Sequence, residues 1–134
     1  MEAGILVTQN HILVDRDENG HYALSASQLS HIPTAFICSR DSSAYQLLKI
    51  LKEKNIRVPE DVSITGFDDY ILSSLCTPKI TTYSIDVAKL TDSCIWLLLD
   101  RITQPDRPLR HIVISGKIME RDSVRTLSTN PESR

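Results

Sequence analysis

Four short stretches bring carboxylates, guanidinium groups and hydroxyls together: Asp15-Arg16-Asp17, Ser39-Arg40-Asp41, Phe67-Asp68-Asp69 and Ser84-Ile85-Asp86. A polyhydroxylated ligand such as a sugar calls for that mixture. Carboxylates accept from its hydroxyls, arginine donates to its oxygens, and fixed geometry separates epimers. Each candidate also has a structural reading. Asp41 stands just before a helical pattern and reads as an N-cap rather than a ligand contact. Asp68 is either contact or cap, and Asp69 can cap the turn at Tyr70. Arg40 is either a contact or the partner of a neighbouring carboxylate. The four histidines, His11, His21, His31 and His111, show no i, i+4 pairing, so neither a metal nor a cofactor is expected. No GxGxxG, P-loop or GxSxG occurs, which leaves nucleotide and hydrolase chemistry without a motif. A magnesium cluster of Asp41, Asp68 and Asp69 for phosphoryl transfer lacks a strand-end lysine. No enzyme is expected.

The four stretches share one rim only if each leaves the carboxyl end of a parallel strand, where open α/β sheets bind ligands. The pattern supplies such strands. Ile12-Leu13-Val14 reads as a short one, followed by a helix over 22–29. Residues 34–38, all small or apolar, read as a strand buried on both faces. A helix over 42–54 follows, with Ala44, Leu47, Leu48 and Leu51 at i, i+3, i+4 and i+7. Asn55 can close it in a left-handed conformation. The next strand enters at Val62 and delivers Asp68 and Asp69. Strand, helix and strand over about thirty residues make a βαβ unit with parallel strands.

Beyond it, residues 70–75 read as a helical turn and 80–83 as a strand. A helix over 86–101 has Val87, Leu90, Cys94, Leu97 and Leu98 along one side, with Trp96 only partly covered. Residues 111–114 and 117–119 read as two short strands joined through Ser115-Gly116. Residues 126–134 are polar, contain a proline and are expected to be poorly ordered. Gly4 suits the position just past a helix, so residues 1–4 read as the end of an element begun further upstream.

Composition narrows the class. The 134 residues are 41% hydrophobic and 24% charged, ordinary globular usage that excludes disordered and fibrous chains. A net charge of −2 argues against this segment gripping nucleic acid itself. Cys38, Cys76 and Cys94 are odd in number and form no CxxC, so a disulfide framework is not expected and a cytoplasmic, reducing location is the default.

The run Pro33-Thr34-Ala35-Phe36-Ile37-Cys38, then Asp41-Ser42-Ser43-Ala44, then Ile56-Arg57-Val58-Pro59-Glu60-Asp61-Val62-Ser63-Ile64-Thr65-Gly66-Phe67-Asp68-Asp69 resembles the lactose/galactose repressor (LacI/GalR) family of bacterial transcription regulators. Thr77-Pro78, Ile80-Thr81-Thr82, Leu97-Leu98-Leu99-Asp100-Arg101-Ile102 and Glu120-Arg121-Asp122-Ser123 continue the match in order and spacing. The resemblance implies a type I periplasmic-binding-protein-like α/β fold, a parallel sheet flanked by helices. It also implies an effector in a cleft between two lobes, a homodimer, and DNA contact through an N-terminal helix-turn-helix domain. Residues 1–125 would be the C-terminal part of that effector domain, mostly its second lobe. About 84–102 would cross to the other lobe, and the DNA-binding domain would be absent from this chain.

Carried over residue by residue, the resemblance makes Asp68 the aspartate that binds effector hydroxyls. Arg40 stands where the family often has a sugar-contacting asparagine, and Asp15 near where many members carry a stacking aromatic ring. These departures imply an anionic or phosphorylated effector read by Arg40, against the alternative of an Arg40–Asp15 pair closing the site. Dimer contacts map near Tyr45, Leu72, Leu75 and Cys76. A sugar-binding protein of a transport system, sharing the fold, is the competing class.

Overall fold

The computed structural model describes residue 8 and residues 11–29 and 31–126. The expectations for residues 1–4 and for 127–134 lie outside them. Ala44, Leu47, Leu48 and Leu51 form the buried stripe of helix α1 (Asp41–Glu53), as their spacing requires. Burying each leucine contributes roughly 1.5–3 kcal/mol before packing is counted. The stripe meets Ile64 of the sheet with Val62 and Ile80, each immediately ahead of a strand's first paired residue, and Leu29 closes the same core. Asn55, with φ of 58°, ends the helix, and Ile56 N–H returns to the Leu51 carbonyl at 2.9 Å.

Strands β1 (Ala35–Ile37), β2 (Ser63–Phe67), β3 (Thr81–Ser84) and β4 (Lys117–Met119) lie in the order β1-β2-β3-β4. The first three are mutually parallel, and β4 runs antiparallel to β3. Short helix α2 (Leu72–Leu75) joins β2 to β3, and α3 (Val87–Thr103) follows β3. Asp86 caps α3 by accepting from the Lys89 N–H at 2.9 Å. The segment after β4 stitches the sheet: Ser123, fully buried, donates to the Ile64 carbonyl at 2.6 Å and accepts from the Thr81 N–H at 2.8 Å.

Four expectations need correction. Residues 12–14 are not a strand, and 22–29 contain only a single turn, Ala26–Gln28, of 3-10 helix. In their place stands a tight turn bridged by Arg16 and Tyr22. Asp17 accepts the amide protons of Asn19 at 2.9 Å and His21 at 2.8 Å, and Gly20 takes φ of 81°. The turn folds Tyr22 and Ala23 back onto Arg16 and Asp15, with the Ala23 N–H on the Asp15 carbonyl at 3.0 Å, so the start of the expected helix is drawn into extended pairing. Strand β1 is not buried on both faces: Phe36 is half-buried, whereas Ile37 is 90% exposed. It lies at the sheet edge. Residues 111–114 form no strand, so one strand rather than two precedes the last segment. Along α3, none of the residues is buried. The stripe has the composition of a core face, yet among its residues only Leu97 is partly covered.

Candidate functional site

The carboxyl ends of β1, β2 and β3 place residues 39–41, 67–69 and 84–86 on one rim, as parallel strands require. Asp15 joins them without a strand of its own. Its Oδ2 accepts a short hydrogen bond from the Ser43 hydroxyl in the first turn of α1. The Cys38 thiol, at the end of β1, registers the same gathering of charge. Burial first, and then the carboxylates of Asp15 and Asp41, push its pKa up to about 12.

The two adjacent aspartates at the end of β2 differ in environment. Both are non-glycine residues in left-handed conformations, with φ of 97° at Asp68 and 54° at Asp69. Asp69 is tied down: its Oδ1 accepts from Arg121 Nη2 at 2.5 Å. That hydrogen bond holds its carboxyl below the usual carboxylate value, with the Ser84 hydroxyl and the charges of Arg121 and Lys117 adding to it. Asp68 is exposed, and among the described residues its carboxylate has no hydrogen-bonding partner. Its backbone N–H donates to the Tyr83 carbonyl at 3.0 Å. Asp69 does not cap the turn at Tyr70; the Tyr70 N–H donates instead to Asp41 Oδ2 at 2.6 Å.

Asp41 therefore is neither the N-cap nor a rim contact. Arg40 occupies the N-cap position, with no side-chain bond to the helix, and Asp41 is the first helical residue, 1% exposed. Its second oxygen, Oδ1, accepts from the Thr82 hydroxyl at 2.6 Å. Gly66 makes room for it, because a Cβ there would stand 2.0 Å from that oxygen. The pattern of hydrophobic and polar residues carries no signal for this contact, since its partners lie 29 and 41 residues away.

Arg40 is exposed, and among the described residues no carboxylate pairs with it. The alternative of an Arg40–Asp15 pair is not formed; the Asp15 carboxylate accepts from Ser43 instead. Asp86 is occupied as the cap of α3. Beside it a cleft of about 400 Å³ is lined by Ser84, Asp86, Ser115, Gly116 and Lys117. Among the described residues, no group of three or more histidines, cysteines and carboxylates is placed to hold a metal ion. The rim thus offers free donors and acceptors suited to hydroxyl-bearing or anionic ligands, with Asp68 and Arg40 unengaged.

Of the proposed dimer contacts, Leu75 is 70% exposed, while Tyr45, Leu72 and Cys76 are half-buried between α1 and α2. Arg121, Thr82 and Ser43 are the residues that sequence reasoning gave no role. All three are polar groups that acquire one only through contacts distant in sequence.

The profile described as "Periplasmic binding protein-like domain" matches residues 2–124. The chain is 32% identical over 130 residues to the HTH-type transcriptional repressor PurR of Vibrio atlanticus (strain LGP32), covering 95% of this chain and 39% of that protein. It is 37% identical over 101 residues to the probable HTH-type transcriptional repressor ExuR of Bacillus subtilis (strain 168), covering 75% and 30%. Among solved structures it is similar to a LacI family transcriptional regulator from Enterococcus faecium with bound ribose. That match has a TM-score of 0.68 at 29% identity, over 76% of this chain and 38% of that chain. The chain spans about two fifths or less of the length of these relatives.

Proposed function

The chain belongs to the periplasmic binding protein-like family and resembles its LacI-type regulators; from that premise we propose that it is the C-terminal part of the effector-sensing domain of a bacterial transcriptional repressor. Its ligand is a sugar or an anionic sugar derivative, bound at the rim by Asp68 and Arg40 with Asp15 beside them. DNA contact belongs to a helix-turn-helix outside these 134 residues, and the working location is the cytoplasm. No helix among the described residues is long and apolar enough to cross a membrane.

The observation that carries this reading is the contrast between Asp68 and Asp69. One carboxylate is consumed by Arg121, and the other is left exposed at the ends of three parallel strands. A sugar hydroxyl can donate to Asp68 without displacing any protein partner. The uncovered face of α3 supports assigning about 84–102 to a crossing into a second lobe, which would supply the opposite wall of the cleft. Arg40, unpaired and beside the same rim, gives the site its preference for carboxylate or phosphate, whose geometry the guanidinium fork matches.

Calorimetry with free sugars, sugar acids and sugar phosphates tests the proposal in the protein that carries this chain. Asp68→Asn should weaken every ligand that binds. Arg40→Ala should weaken the anionic ligands selectively. An unchanged preference after Arg40→Ala would sink the anionic reading and leave Asp68 standing.

A further inference from the structure

We infer that Asp41 and Thr82 are positioning residues that set where the Asp68 carboxylate stands. The inference rests on the reading of Asp68 as the effector contact. Because Asp68 has no side-chain hydrogen bond among the described residues, the location of its carboxylate is set by the backbone beneath it. That backbone is unusual. Two consecutive residues with side chains take left-handed conformations, with φ of 97° and 54°, which persist only where their surroundings hold them.

Three successive amides are caught there. Asp68 N–H donates to the Tyr83 carbonyl at 3.0 Å, Asp69 N–H to the Thr82 hydroxyl oxygen at 3.3 Å, and Tyr70 N–H to Asp41 Oδ2 at 2.6 Å. The Thr82 hydroxyl in turn donates to Asp41 Oδ1 at 2.6 Å, which orients its lone pairs toward Asp69. Asp41 and Thr82 are each 1% exposed, so neither can reach a ligand on the rim. The two side chains form one unit that joins α1, β3 and the loop after β2. Gly66 is what admits the carboxylate to it. A shift of about 1 Å at a positioned polar group is enough to spoil recognition.

The test uses the protein that carries this chain, titrated with D-ribose, D-ribose 5-phosphate and D-glucuronate. Thr82→Val removes the hydroxyl, and Thr82→Ser keeps it. Thr82→Val should lower the affinity of the sugar that binds roughly tenfold, the size of one lost polar arrangement, and Thr82→Ser should restore it. In an Asp68→Ala background, Thr82→Val should change nothing further, because its effect runs through Asp68. An equal loss in both backgrounds marks a purely structural role and overturns the inference while leaving the site reading intact. If Asp68→Ala alone leaves affinity unchanged, the site reading falls and the inference with it. Asp41→Asn supplies the same comparison should Thr82→Val fail to fold. Independently of which sugar titrates, the crystal structure of either variant should show Asp68 leaving its left-handed conformation or its carboxylate displaced; an unmoved loop overturns the inference.

Discussion

Arg121 Nη2 donates to Asp69 Oδ1 at 2.5 Å, while Nη1 of the same guanidinium reaches the Ser73 hydroxyl and the Ile80 carbonyl, each at 2.9 Å. A residue just past β4 therefore ties the loop at the rim to α2 and to the residue ahead of β3. Its side chain is 16% exposed and that of Asp69 is 23% exposed, so water only partly screens the pair.

Arg121→Met should destabilise the protein by about 1–2 kcal/mol, the range for losing hydrogen bonds to a charged group that keeps some contact with water. The folded-state pKa of Asp69 lies below its usual value of 3.8, with the Arg121 hydrogen bond as the largest cause. The contribution of the pair is thus complete above that value and is lost as pH falls through the folded pKa. Urea midpoints measured from neutral to acid pH should show a constant difference between wild type and variant that narrows below about pH 4, leaving the part owed to the Ser73 and Ile80 hydrogen bonds.

Gly66→Ala should cost about 1–3 kcal/mol, as overpacking does. Its Cβ would lie 2.0 Å from Asp41 Oδ1 and 3.2 Å from the Asp41 Cα, and backbone cannot swing aside as a flexible side-chain end can. Chemical denaturation measures it. A neutral result would mean that the Asp41 carboxylate can leave its place between Tyr70 and Thr82.

Leu75→Asp tests the proposed two-fold patch. With Leu75 70% exposed, the substitution should leave monomer stability within about 0.5 kcal/mol. It should convert dimers to monomers in sedimentation velocity of the protein carrying this chain. A dimer of undiminished affinity removes Tyr45, Leu72, Leu75 and Cys76 from the interface.

Alkylation should separate the cysteines. Cys94 is exposed on α3, whereas burial and two nearby carboxylates push the Cys38 thiol up to about 12. The thiolate is the reactive species. With the 134-residue chain by itself, iodoacetamide at pH 8 followed by mass spectrometry should label Cys94 and leave Cys38 unmodified; early labelling of Cys38 would contradict its packing at the end of β1.

Periodicity and turn chemistry by themselves determined the βαβ unit from β1 through α1 to β2, the buried stripe of α1 and the left-handed closure at Asn55. These are local properties, fixed by which side chains recur every three or four residues and by which backbone conformations a residue tolerates. The run ending in Asp68-Asp69 likewise indicated the family. Residues 12–14 and 22–29 were misread because the turn held by Asp17 folds Tyr22 and Ala23 back onto Arg16 and Asp15, and hydropathy does not register the acceptor oxygens that hold it. Only the tertiary structure decided what each aspartate does. Asp41, Asp68 and Asp69 share one chemistry, and the partners that distinguish them, Thr82 and Arg121, come from β3 and from beyond β4. Such partners meet only when the sheet forms, so the burial of Asp41, the engagement of Asp69 and the freedom of Asp68 belong to the fold.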